Sequence, residues 1–145
     1  MAALAALDME EKGIRVGSIT TFGEPRVGDE ALADYVDLVF GEHDRYRRIT
    51  HIGDQVPLLP PGGEGWGYAS HGSEYFIMEP SLPVGRGDIA PCKGREDPDC
   101  IARAGLGLRA PWDWARAPLP LFAHRDYFHR LGLCVPGGDP GGEWA

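Results

Sequence analysis

The chain has 145 residues, enough for one compact domain with a core of its own. Hydrophobic residues at 43% and charged residues at 25% match an ordinary globular composition, and no apolar run approaches the ~20 residues of a membrane span. A formal charge of −8 and a pI near 5.0 leave no basic stripe to neutralise phosphates, which excludes a nucleic-acid binder.

Residues 2–12, AALAALDMEEK, predict a helix rich in alanine and leucine and stopped by Gly13. Its small residues suit close packing on a sheet. The opening MAALAAL is too short for a signal-peptide core and lacks a basic n-region, so no signal peptide is expected in this stretch. Residues 14–22, IRVGSITTF, alternate in character and predict a strand, after which GEPRVGD turns the chain. Asp29 can cap a second helix whose Ala31, Leu32, Tyr35, Val36, Val39 and Phe40 share one apolar face. A second strand is expected over 46–52. Its entry, RYRR, is the densest basic cluster and reads as a solvated strand edge.

Gly53 and Asp54 end that strand, and Pro57, Pro60 and Pro61 then stiffen a backbone short of amide donors. Residues 73–79 predict a third strand. Beyond Pro80 the pattern fades into long loops with one short helical stretch, until HRDYFHRL at 124–131 predicts a last helix ended by Gly132. Residues 135–145 read as a mobile Gly/Pro-rich tail after a domain of residues 1–134. Helices alternating with strands indicate an α/β layered fold with a narrow sheet, and a helix with no strand before it suggests an architecture that begins upstream.

Asp54 is the first candidate for chemistry, because ligands bind beyond the carboxyl ends of strands in open α/β sheets. The competing reading is a turn aspartate bonded to nearby amides. Among the five histidines, His124 follows Pro118 and Pro120 and lies between Phe122 and Phe128, a rigid apolar setting suited to a general base. His129 is its rival. A metal cluster of His51, Asp54 and His71 is a further alternative, although its spacing matches no ligand signature. None of the four serines (Ser18, Ser70, Ser73, Ser81) lies in a G-x-S-x-G elbow, so no nucleophile is assigned. Cys92 and Cys100 bracket KGREDPD and suit a small disulfide loop, with reduced thiols or half a zinc site as alternatives; Cys134 is left over.

The stretches TTFGEPRVGDEALADYV, RITHIGDQVPLLPP, GYASHGSEYFI and AHRDYF together resemble the second half of the class 3, fungal-type lipases and feruloyl esterases. The resemblance implies part of an α/β-hydrolase fold and a Ser-Asp-His triad in that chain order. By motif, Asp54 matches the triad aspartate and His124 the triad histidine. Cys92 and Cys100 resemble a disulfide loop of the esterase branch, and Cys134 a cysteine whose partner lies near the family's N-terminus. MAALAALDMEEKG resembles the helix that follows the family's serine elbow. The nucleophile, the lid and part of the oxyanion hole are therefore expected to be missing from this chain. The implied activity is hydrolysis of lipid or other carboxylic esters in a secreted setting, without a cofactor. Contact with a lipid surface is expected only through the family's N-terminal half. A non-catalytic remnant is the alternative.

Overall fold

The computed structural model describes residues 1–41, 45–63, 65–104 and 123–131. Helix α1 spans Ala2–Glu11 and buries Ala3, Ala6 and Leu7, the 3.6-residue stripe that its small side chains allow. Gly13, at φ +75°, ends it. The expected strand over 14–22 is shorter than its alternation suggests: β1 covers only Ile19–Phe22. Residues 14–18 are captured by the helix end instead. The Ile14 amide donates to Met9 O, and the Val16 amide to the Glu10 carboxylate.

Helix α2, Glu30–Phe40, begins where Asp29 accepts the Leu32 amide, as its capping residue should. Its core face is Ala33, Val36 and Phe40; Ala31 and Tyr35, expected inside, are exposed. Strands β2 (Tyr46–His51), β3 (Glu74–Ile77) and β4 (Ile89–Pro91) complete a sheet of order β1-β2-β3-β4. The first two pairings are parallel and the last is antiparallel. Strand β4 has no counterpart in the sequence reading, for three residues carry no periodicity.

The side chains of β2 separate the layers. Ile19 and Tyr46 face both helices in one cluster with Ala3, Leu7, Val36 and Phe40. On the other face Ile49 and Ile77 pack with Tyr127. A third cluster joins Leu58 and Phe76 to Cys100 and Ile101. The RYRR stretch is no solvated edge. Strand β2 lies between β1 and β3, Tyr46 is buried, and Arg48 is 2% exposed and bonded to Glu74 at 2.9 Å. Arg45 reaches Glu10 and Val16 O. The last helix expected over 124–131 is a single tight turn at Ala123–Arg125, followed by a bridge between Asp126 and Arg130. The long-loop segment at 105–122, Cys134 and the tail at 135–145 lie outside the described residues.

Candidate active site

Asp54 stands three residues past the end of β2. Its amide donates to His51 O, while Gly53 takes φ +83°, a left-handed turn that side chains resist. The chain then enters one tight turn at Val56–Leu58 with Pro57 buried. Asp54 is fully buried, so its carboxylate must be met by donors. Three meet it. The Val56 amide donates to Oδ1 at 2.9 Å; the Tyr127 hydroxyl and His124 Nδ1 reach Oδ2 at 2.6 and 2.9 Å.

A carboxylate oxygen accepts, so Nδ1 of His124 carries the hydrogen and Nε2 of the neutral ring keeps its lone pair. The His124 side chain is 36% exposed, and among the described residues Nε2 has no hydrogen-bond partner. A ring with one nitrogen fixed on a buried carboxylate and the other available as a base can accept a proton from a hydroxyl. Tyr127 is the one member of this group that the sequence reading did not single out. Burial, reinforced by the Asp54 charge, pushes its phenol well above the usual range, so it remains a donor. Only its position three residues after His124 hinted at the role. The ring also makes an edge contact with Phe22, at 5.7 Å between centroids.

The remaining candidates are dispersed. His129 is exposed. His51 is buried beside Tyr127, and neither of its ring nitrogens has a partner among the described residues. His71 packs on Tyr46 at 4.3 Å, with Nδ1 donating to Gly72 O and Nε2 3.6 Å from Glu24. His51, Asp54 and His71 therefore do not converge. Among the described residues, the one grouping with metal-compatible spacing is Glu74, Cys92 and Cys100. Its two sulfurs are joined in a disulfide, which answers the cysteine question in favour of the closed loop. Ser18 and Ser81 are exposed; Ser70 accepts from Arg26 and is buried, and Ser73 sits in a left-handed turn at φ +59°.

A carboxylate–histidine pair beyond the carboxyl end of a parallel strand, on a layered α/β scaffold, fits the α/β-hydrolase class. The family model for class 3 lipases matches residues 1–64. Lipase A of Sodiomyces alcalophilus is 46% identical over all of this chain and 44% of its own length. Secreted mono- and diacylglycerol lipase 2 of Gibberella zeae is 44% identical over 99% of this chain and 42% of its own. The crystal structure of Lip2 lipase from Yarrowia lipolytica superposes with a TM-score of 0.71 at 26% identity, covering 89% of this chain and 43% of that one. Lipase II from Rhizopus niveus gives 0.62 at 27% identity, covering 88% and 42%. The chain belongs to the class 3, fungal-type lipase family. It spans less than half the length of these relatives.

Proposed function

We propose that the protein carrying this chain hydrolyses carboxylic esters of glycerol lipids, with His124 as general base and acid and Asp54 as the carboxylate that orients it. The observation that carries this reading is the bond from His124 Nδ1 to the buried Asp54 at 2.9 Å. The imidazole takes the proton of an attacking hydroxyl at Nε2, then returns it to the departing alcohol. Asp54 holds the tautomer and stabilises the imidazolium formed between those steps. The hydroxyl comes from none of Ser18, Ser70, Ser73 or Ser81; it is contributed by a part of the family's fold that these residues do not span.

The relatives' names favour acylglycerols, and one similar structure is described as a triacylglycerol lipase with a serine-protease triad, at 30% identity and a TM-score of 0.53. An extracellular setting is supported by relatives named as secreted and by the Cys92–Cys100 disulfide. The test is turnover of monoolein and p-nitrophenyl butyrate by the protein that carries this chain. His124→Ala is expected to remove hydrolysis of both esters. Undiminished turnover by that variant would overturn the assignment, and no turnover by the unaltered protein would favour a non-catalytic relative.

A further inference from the structure

One residue on the turn that leaves β1 abuts the site without belonging to it, and the next residue holds that turn in place. Gly23 is buried with φ +60°, and a Cβ there would stand 2.5 Å from both Cε1 and Nδ1 of His124 and 2.9 Å from Asp54 Oδ2. The imidazole therefore rests on the bare Cα of Gly23. Wherever this turn sits, the ring must follow.

The next residue fixes the turn. Glu24 is 8% exposed, a costly place for a carboxylate unless it is well partnered. Its Oε2 accepts from the Thr21 hydroxyl at 2.6 Å and the Tyr46 hydroxyl at 2.7 Å, and its Oε1 lies 3.6 Å from His71 Nε2. The two hydrogen bonds come from β1 and from β2, so one side chain ties the turn to both strands, while Oε1 has no hydrogen-bond partner among the described residues. The Gly23 amide adds a bond to Ile49 O. At the far end of the turn, the Arg26 amide donates to Leu59 O and its guanidinium to Leu58 O and Pro60 O, the brace that follows Asp54. The same turn thus abuts the histidine at one end and grips the support of the aspartate at the other.

We propose that Glu24 is a positioning residue for the His124 imidazole, acting through the Gly23 turn on which the ring rests. The proposal rests on the reading of His124 and Asp54 as a working pair. It gives a buried carboxylate outside the catalytic set a defined part in the geometry of that set.

The test is the rate at which the His124 Nδ1 proton exchanges with water, read by nuclear magnetic resonance in the protein that carries this chain, with the chain unaltered and with Glu24→Ala, Glu24→Gln and Tyr46→Phe. Slow exchange is expected in the unaltered chain. It should survive in Glu24→Gln, whose amide oxygen still accepts from Thr21 and Tyr46. In Glu24→Ala the slow proton should be lost while the backbone amides of β2 stay protected, and Tyr46→Phe should fall between. A slow proton that persists in Glu24→Ala overturns the proposal. So does loss of that proton only together with the β2 amides, because that marks general loosening. Should Glu24→Ala not fold, Tyr46→Phe combined with Thr21→Val decides by the same two signals. Fast exchange in the unaltered chain would instead sink the Asp54–His124 pairing itself.

Discussion

Two carboxylates near the ends of adjacent strands are each paired with a basic side chain, and they are treated in opposite ways. Glu74 on β3 accepts from Arg48 at 2.9 Å, from the Thr50 hydroxyl at 2.5 Å and from the Ile101 amide at 3.2 Å, and both members of its ion pair are sealed. Asp54 is just as buried, yet its histidine is 36% exposed. The first pair is closed on all sides and serves the fold. The second is closed at Nδ1, while among the described residues Nε2 of the half-exposed ring has no hydrogen-bond partner. The base itself differs too: a guanidinium does not give up its proton in a protein, whereas an imidazole exchanges one near neutral pH.

That contrast can be broken first at the sealed pair. Glu74→Ala would leave Arg48 as an uncompensated buried cation, at an expected cost of about 3–5 kcal/mol, a large share of a typical domain's stability. Urea unfolding monitored by tryptophan fluorescence measures it. A shift equivalent to less than ~1 kcal/mol, the scale of an exposed pair, would show that Arg48 reaches water.

At the open pair the expected effect on stability is smaller. Tyr127→Phe removes one donor from Asp54 but leaves the Val56 amide and His124 in place, at about 2 kcal/mol for a bond to a charged acceptor. The same unfolding assay reads it. The loss should exceed what the missing hydroxyl costs in packing, since Phe preserves the ring contacts.

The smallest effect expected is the acid limb at Glu24. Burial raises its carboxyl, but His71, Thr21 and Tyr46 together outweigh burial and hold it below the ordinary 4.5. A carboxyl depressed by folding contributes stability that is fully present above the unfolded value and is lost as pH falls through the folded one. Glu24→Gln should therefore flatten the decline in stability below about pH 4.5, measured by thermal melts across pH. An unchanged acid limb would contradict that assignment.

Much of the open pair was legible in the chain. Gly53-Asp54 followed by three prolines offered a braced carboxylate and His124 a rigid approach, but each had a competing reading, and it was the resemblance to the class 3 lipases that joined the two across 70 residues. The sealed pair was not legible. Four residues reading RYRR suggest solvent, because the acid that neutralises Arg48 lies 26 positions away and only strand pairing brings it near. The same limit hid Tyr127. A helix over 124–131 looked natural, whereas one tight turn lets His124 and Tyr127 both reach the same oxygen of Asp54. Local pattern reports the elements; convergence on a buried charge depends on contacts that no window of sequence contains.

The central claim is that Asp54 governs the protonation geometry of His124, and replacing the carboxylate by an amide of nearly the same shape tests it most directly. In the protein that carries this chain, Asp54→Asn is expected to lower kcat for ester hydrolysis by roughly 10⁴-fold through the wrong tautomer. The melting temperature should stay close to that of the unaltered protein. A variant that remains within tenfold of the original kcat would contradict the account.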